Sequence, residues 1–215
     1  MHQYPSPNCG PRRGGILPEL IVIHYTAMQS AQAAIERLCD PEAEVSAHYV
    51  IASNGTVTQL VDEDQRAWHA GSGSWQGQGD VNSRSIGVEL DNAGTHPFSE
   101  PQMAALEALL RGTMARWSIP AGGVIGHSDM APGRKSDPGQ RFDWARLARQ
   151  GLAGHATGPA LDGPASEEGF RAAATKAGYP ADTSLDVLLQ ATRLRFAPWR
   201  TGPLCAADLA LHHGL

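Results

Sequence analysis

The stretch from residue 126 to 139 constrains this chain more than any other, because it combines metal-binding side chains with residues that break helices. Its sequence is GHSDMAPGRKSDPG, in which His127 and Asp137 stand ten positions apart. Two Pro-Gly pairs exclude a continuous helix, so the sequence predicts a rigid loop that leaves a short strand at 124–127. Such a loop can bring an imidazole and a carboxylate to one point. Catalytic zinc sites keep three protein ligands and an open position, so a third ligand must come from elsewhere.

His24 is the best candidate for the third ligand. It ends the strongest apolar run of the chain, LIVI at 20–23, which predicts a buried strand. A histidine at the end of such a strand points its ring out of the core, at the end of the sheet where the strand stops. A single histidine in such a place is more commonly an ordinary polar side chain, so the assignment depends on the motifs that accompany it.

Five short motifs accompany these residues in a fixed order: IVIHYT at 21–26, VSAHY at 45–49, RAWHAG at 66–71, SIGVEL at 85–90, and GH with RKSDPG within 126–139. Together they resemble the zinc-dependent N-acetylmuramoyl-L-alanine amidases, the type 2 amidase and peptidoglycan-recognition-protein family. The resemblance covers residues 4 to 150. It implies an α/β fold with a central mixed β-sheet flanked by helices. It also implies hydrolysis of the amide between N-acetylmuramic acid and the L-alanine of the stem peptide.

The resemblance also assigns roles to individual residues. His24, His127 and Asp137 match the ligands of one Zn²⁺ per chain, Glu89 matches the catalytic acid/base, and Lys135 matches the residue that stabilises the transition state. A carboxylate inside the apolar run 86–90 is costly unless it is paired or functional, which suits Glu89. The structural alternatives are a salt-bridged glutamate in a strand and a solvated lysine in a loop.

Substrate binding is expected from residues near the long, glycine-rich segment 62–84. The sequence predicts that this segment lacks regular structure, and the resemblance implies that it borders the substrate groove. Trp75 is a further candidate for the groove wall, and Trp68 is equally compatible with a core position. His48 is expected to act as a structural donor rather than a ligand. The residues assigned to substrate binding are Tyr25, His48, Trp68 and His69.

Composition and charge limit the partners and the cellular location that can be expected for this chain. The net charge of −5, from 17 basic and 22 acidic residues, gives no basic footprint for nucleic acid. No apolar run reaches the length of a membrane span. Three scattered cysteines form neither a disulfide framework nor a metal-ligand spacing, which suits a reducing compartment. The amino terminus has no secretory signal, so a cytoplasmic location is expected, or a periplasmic one if a signal has been removed.

The expected substrates are therefore muropeptides from cell-wall recycling, with 1,6-anhydro-muramic acid as the sugar, and the expected unit is a monomer. Glu44 stands where some recycling members carry a basic residue that meets a substrate carboxylate, which leaves the sugar preference open. The alternatives are an exported amidase that acts on intact peptidoglycan, a phage-type lytic enzyme, and a non-catalytic recognition module of the same fold.

Three segments are predicted: a catalytic domain at 1–152, a linker at 153–165, and a three-helix peptidoglycan-binding-like module at 166–215. Serines predict helix starts at 30, 99 and 166, and Gln102 is the expected capping-box partner of Ser99. Asn54-Gly55 predicts a hairpin turn. The arm that includes Arg12 is expected to be solvated. The tail resembles the small modules that follow some of these amidases, but Thr192 stands where those modules carry an aromatic residue, so packing against the catalytic domain is at least as compatible with the sequence as wall binding.

Overall fold

A mixed β-sheet lies at the centre of the protein, in a computed structural model that describes residues 1–154 and 165–210. The described residues form eight strands: β1 (His2–Gln3), β2 (Cys9–Pro11), β3 (Leu20–Tyr25), β4 (Tyr49–Ile51), β5 (Val57–Gln59), β6 (Gln65–Ala67), β7 (Ser85–Leu90) and β8 (Val124–Gly126). Six of them form the central sheet in the order β1-β5-β4-β7-β3-β8, and β2 pairs with β6 beside it. Strands β4, β7, β3 and β8 are parallel, whereas β4 and β5 form the antiparallel hairpin that the Asn-Gly turn predicts.

Helices cover the sheet on both faces, which confirms the predicted α/β class. The described residues contain seven α-helices: α1 (Ala31–Cys39), α2 (Val81–Arg84), α3 (Glu100–Trp117), α4 (His127–Met130), α5 (Trp144–Arg149), α6 (Glu167–Ala177) and α7 (Leu185–Phe196). Short 3₁₀ helices occur at Arg13–Gly15, Pro41–Ala43, Ala121–Gly123 and Ala206–Leu209.

Serine side chains begin α1, α3 and α6 as predicted. Ser30, Ser99 and Ser166 each accept a hydrogen bond from a backbone N–H three residues later. The expected capping box at Ser99 is not completed by Gln102. Its side-chain amide is fully buried and donates instead to the carbonyl oxygens of Ile51 and Asp91, which ties α3 to the sheet.

The alternation of side chains along β3 and β7 separates the interior into two layers. Ile21 and Ile23 face the layer under α3 and α5, together with Ile86 and Val88. Leu20, Val22 and then His24 face the opposite side, because successive residues of a strand point to opposite faces. The same rule puts Ser85, Gly87 and Glu89 on the side of His24. The functional face of the sheet is therefore the one away from α3.

The carboxy-terminal helices pack directly on this opposite face. Phe170, Tyr179 and Leu188 share one apolar cluster with Trp75 and Met130 of the preceding part of the chain. Beneath that cluster, the side chain of Arg195 on α7 donates to Asp129 on α4 at 2.9 Å, and both are almost completely buried. Within the described residues, the segment from 165 to 210 thus lies against the preceding part of the chain, 1–154, rather than standing apart from it.

Two predictions for the fold are corrected by the structure. The segment 62–84 contains β6 and α2, and Trp75 is fully buried against Tyr179 rather than facing a groove. Arg12 is buried instead of solvated, because its guanidinium donates to the backbone oxygens of Glu63, Ser83 and Ser85.

Other predictions lie partly outside the described residues. The centre of the predicted linker, 155–164, is not among them. The third helix of the module is predicted at 206–213, and residues 211–213 of it are not described either. The described part of that helix is the 3₁₀ turn at Ala206–Leu209. Among the described residues, no helix combines the length and the apolar character that crossing a bilayer requires.

Candidate metal centre

His24 and Glu89 stand side by side at the carboxyl ends of two parallel strands. The register of β3 and β7 pairs His24 directly with Glu89. Both side chains point to the same face of the sheet, as the alternation along the two strands requires. A ligating imidazole and a carboxyl group are therefore placed next to each other by strand pairing alone.

His127 and Asp137 reach the same point from the neighbouring strand β8. The strand ends at Gly126, one residue earlier than predicted, and His127 opens the short helix α4. The loop then returns, and the N–H of Ser128 donates to the carbonyl oxygen of Asp137 at 2.9 Å. The potential ligand atoms of His24, His127 and Asp137 all lie within 4.8 Å of one another.

A chain of hydrogen bonds determines which nitrogen of His24 carries the proton. The Ser85 hydroxyl donates to the carbonyl oxygen of Val81 at 2.5 Å, so its oxygen must accept from His69 Nε2, 3.2 Å away. His69 Nδ1 is then an acceptor, and His24 Nε2 donates to it at 3.0 Å. The other nitrogen of His24, Nδ1, consequently carries a lone pair, which faces Asp137 Oδ2 at 2.9 Å.

His127 has the same tautomer by an independent contact. Its Nε2 donates to the carbonyl oxygen of Ala70 at 2.9 Å, which leaves a lone pair on Nδ1. That atom lies 3.0 Å from Asp137 Oδ2. Three electron-pair donors thus lie close together, and none of them carries a proton with which it could hydrogen bond to the others. Two imidazole nitrogens and one carboxylate oxygen form a donor set that suits zinc, so the residues present fit a bound metal ion.

The titration behaviour of these groups favours their ligating forms. Burial, and then the neighbouring His127, lower the pKa of His24 to about 4, so its imidazole is neutral at neutral pH. Metal ions bind neutral imidazole and ionised carboxylate, and an aspartate is ordinarily ionised at neutral pH.

Glu89 is a carboxyl group of a different kind, although it lies in the same site. Burial, and next the charge of Asp137, raise the pKa of Glu89 to about 8, while Lys135 acts in the opposite direction. Its Oε2 atom is buried and has no hydrogen-bond partner among the described residues. A buried carboxyl oxygen without a partner is costly, and such a group is typical of a site that handles protons.

An open groove of about 410 Å³ gives access to these groups. One wall comes from α1 and the residues after β3, and the other comes from the loop 134–137. His24, His127, Asp137 and Glu89 lie in its lining, and so does Lys135 on the exposed loop. The groove is wide enough for a small molecule with several chemical groups to reach His24, His127 and Asp137.

A family comparison agrees with this arrangement. Residues 14–140, more than half of the chain, match the family model described as N-acetylmuramoyl-L-alanine amidase. The chain belongs to this amidase family.

Individual relatives extend the match. The chain is 39% identical over 150 residues to N-acetylmuramoyl-L-alanine amidase AmiD of Escherichia coli, an alignment that covers 62% of this chain. That alignment spans 53% of AmiD, or about half of its length. The chain is also 35% identical over 160 residues to 1,6-anhydro-N-acetylmuramyl-L-alanine amidase AmpD of Citrobacter freundii, in an alignment that covers 66% of this chain and 86% of AmpD.

Solved structures give the same family. A complex of Escherichia coli AmiD with anhydro-N-acetylmuramic acid-L-Ala-D-γ-Glu-L-Lys superposes with a TM-score of 0.81 at 30% identity, and covers 92% of this chain and 89% of that one. AmpDh3 of Pseudomonas aeruginosa superposes with a TM-score of 0.76 at 28% identity, covering 93% and 91% respectively. Both superpositions include most of the carboxy-terminal segment.

The residues assigned to substrate binding have different positions in the structure. Tyr25, Trp68 and His69 line the groove. His48 does not, because its side chain is fully buried and uses both nitrogens for the fold. Its Nδ1 accepts from the N–H of Gly87 at 2.9 Å, and its Nε2 donates to the carbonyl oxygen of Gln65 at 3.1 Å. His48 is therefore removed from the substrate-binding set.

Three groups that surround the ligand cluster were not predicted from the sequence. The Asn82 side chain accepts from the N–H groups of His69 and Ala70, and the carbonyl oxygen of Ala70 accepts from His127. Arg134 donates to the same carbonyl oxygen at 2.6 Å. An asparagine before a strand and a backbone carbonyl carry no signal in a sequence. Only their distance from the ligands in the folded chain reveals them.

Proposed function

We propose that this amidase hydrolyses the amide between the lactyl group of N-acetylmuramic acid and the L-alanine of the stem peptide. One observation carries the proposal: the lone pairs of His24 Nδ1, His127 Nδ1 and Asp137 Oδ2 converge beside the buried carboxyl group of Glu89, inside one groove. A metal-binding triad next to an acid/base is what hydrolysis of an unreactive amide requires.

One zinc ion per chain is the proposed cofactor, held by His24, His127 and Asp137. When bound, zinc lowers the pKa of water and polarises a substrate carbonyl. The three protein ligands leave further positions open, as in catalytic zinc sites.

Glu89 is the proposed acid/base. One carboxylate oxygen takes a proton from the attacking water while the water oxygen bonds to the lactyl carbonyl carbon. Glu89 then gives that proton to the alanine nitrogen as the carbon–nitrogen bond breaks, which releases a carboxylic acid and a free peptide amino group. Since burial raises its pKa, Glu89 holds a proton readily near neutral pH and can return it to the leaving group.

Lys135 is the proposed electrostatic stabiliser of the transition state. It lies on the groove wall, and its charge is close enough to oppose the raised pKa of Glu89. A cation in this position stabilises negative charge that develops on the carbonyl oxygen. The exposed lysine has a flexible side chain, so it can follow that oxygen as the carbon becomes tetrahedral.

Soluble muropeptides with a 1,6-anhydro sugar are the proposed substrates, in wall recycling. The complexes of AmiD and AmpDh3 with anhydro-muropeptides support this class, as does the name of AmpD. Tyr25, Trp68 and His69 are the proposed contacts on the groove wall. A monomer is the proposed active unit. A recycling role predicts the protein in the cytoplasmic fraction of cells, whereas action on intact wall predicts it in the envelope.

The test compares two substrates and two variants. Purified anhydro-muropeptide and intact sacculi are incubated with wild type, Glu89→Gln, and Glu168→Gln as an exposed control on α6. We expect cleavage of the muropeptide to fall by about 10²- to 10⁴-fold in Glu89→Gln and to be unchanged in the control. Cleavage of sacculi alone would assign the enzyme to intact peptidoglycan. Tight muropeptide binding without cleavage by wild type would leave only a recognition module.

A further inference from the structure

We propose that the two residues His69 and Ala70, held together by Asn82, form a positioning clamp that sets the tautomer and the orientation of both histidine ligands. The clamp rests on the proposed zinc site, and it assigns to Asn82 a role in metal binding although Asn82 contacts no ligand. No pattern in the sequence connects Asn82 with the metal.

Two consecutive residues contact both ligand imidazoles on the side away from the metal position. His69 accepts from His24 Nε2 through its ring nitrogen at 3.0 Å, and Ala70 accepts from His127 Nε2 through its carbonyl oxygen at 2.9 Å. An imidazole that donates from one nitrogen presents a lone pair on the other. A single short segment therefore points both Nδ1 lone pairs at Asp137.

Asn82 fixes the backbone of this segment. Its Oδ1 atom accepts from the N–H of His69 at 3.0 Å and from the N–H of Ala70 at 2.8 Å. Because both neighbours are donors, only the oxygen of the carboxamide can occupy this place. Asn82 is itself buried and lies in α2, immediately before the strand that carries Glu89. Asn82 and the acid/base Glu89 are thus carried by two consecutive elements.

The ring of His69 is held from two further sides. The Ser85 hydroxyl oxygen accepts from His69 Nε2 at 3.2 Å. Gly87 leaves room for the ring, since a Cβ atom there would lie 2.4 Å from His69 Cγ. The imidazole therefore lies flat against β7 and meets His24 edge to face, with ring centroids 5.1 Å apart. His69 has little freedom to turn away from His24.

This arrangement has a direct consequence for metal affinity. A partner that accepts the second ring proton of a ligating histidine orients the ring and raises its basicity, and loss of such a partner typically weakens metal binding by about 10- to 100-fold. Here one side chain, Asn82, holds the partners of two ligands at once. Removing its oxygen should loosen both of them.

Asn82→Leu and Asn82→Asp form the matched pair for the test. Leucine has the shape of asparagine but no acceptor, whereas aspartate keeps an oxygen for the two N–H groups. Zinc affinity is measured by competition with a chromophoric chelator, and folding is checked by circular dichroism. We expect zinc binding to weaken by about 10- to 100-fold in Asn82→Leu and to stay within about threefold of wild type in Asn82→Asp. Equal affinity in wild type and a folded Asn82→Leu would overturn the clamp.

A second measurement uses only the wild-type protein, so it holds even if Asn82→Leu fails to fold. Long-range ¹H–¹⁵N correlation spectra of the zinc-loaded protein report which ring nitrogen bears hydrogen. We expect protons on Nε2 of His24 and of His127. Protons on Nδ1 of either residue, in a protein that still binds zinc and still cleaves muropeptide, would refute the clamp without refuting the proposed hydrolysis. Failure of wild type to bind zinc at all would refute both.

Discussion

Glu63 ties the loop before β6 to the end of α3, and replacing it with glutamine should cost measurable stability. The carboxylate accepts five hydrogen bonds, from the hydroxyls of Tyr49 and Thr113, from two nitrogens of Arg116, and from the indole N–H of Trp117. Glu63→Gln places an NH₂ group against some of these donors. Two donors that face each other cannot hydrogen bond, so the substitution breaks the cluster rather than weakening it evenly.

The size of the effect follows from the pKa of Glu63. Burial would raise this pKa, but the bonds from Arg116, Trp117 and Tyr49 outweigh burial and lower it from 4.5 to about 2. That difference corresponds to about 3 kcal/mol at 1.36 kcal/mol per pKa unit. Arg116 is 52% exposed, so solvent screening reduces the figure to about 2 kcal/mol.

The pH dependence distinguishes this cause from a packing defect. A carboxylate whose pKa is lowered by folding stabilises the protein above its unfolded pKa, and this stabilisation is lost as the pH falls through the folded pKa. The wild type should therefore exceed Glu63→Gln by about 2 kcal/mol at pH 7 and by less than half of that at pH 3. Urea unfolding at both pH values measures the difference. A difference below about 0.5 kcal/mol at pH 7, or one that does not shrink at pH 3, would show that the hydrogen bonds to the ionised Glu63 carboxylate do not stabilise the fold as described.

Two further substitutions test other parts of the account. Phe170→Ala should destabilise the protein by about 3–5 kcal/mol in urea unfolding, because Phe170 is fully buried in the cluster that α6 shares with the sheet. Trp199→Ala, at a 76% exposed position of the same segment, is the control, and an equal loss in both would contradict the shared core. Gly87→Ala should weaken zinc binding by about tenfold, because its Cβ would displace His69. Gly10→Ala, with open space around it, should leave zinc binding unchanged.

The sequence predicted the parts of the site that depend on regular spacing. The run at 20–23 located β3, and strand alternation then determines which side of the sheet His24 faces. Glu89 could be identified from the sequence because a carboxylate inside an apolar run is costly unless it is paired or functional. In both cases the relevant information lies within one strand, and the pairing register adds only that the two strands are neighbours.

Contacts between distant segments could not be predicted in the same way. Ala70 contacts His127 through a backbone carbonyl oxygen, which every residue possesses, and the side chain of Asn82 contacts only the backbone N–H groups of His69 and Ala70. His48 and Trp75 have the same residue types as groove-lining side chains, but packing turned both of them inward. A polar or aromatic residue in a glycine-rich region is compatible with either place, and only the folded chain decides between them.

The carboxy-terminal segment illustrates the same limit. Ser166 correctly marked the start of α6, because a cap is a local signal. The partners of that segment were not predictable, since Arg195 is paired with an aspartate 66 positions earlier. The large aromatic side chains of Phe170 and Tyr179 suit core positions. The sequence around them does not show that this core is shared with the central sheet.

Zinc stoichiometry in wild type and in Asp137→Asn tests whether His24, His127 and Asp137 together hold one zinc ion. Both lone-pair nitrogens face Asp137 Oδ2, so this carboxylate is the point at which the two histidine ligands meet. After dialysis against zinc and removal of the excess, we expect one zinc per wild-type chain by elemental analysis, and a loss of affinity of about 100-fold or more in Asp137→Asn. Wild-type protein that cleaves muropeptide without zinc, or Asp137→Asn protein that retains it equally well, would contradict the account.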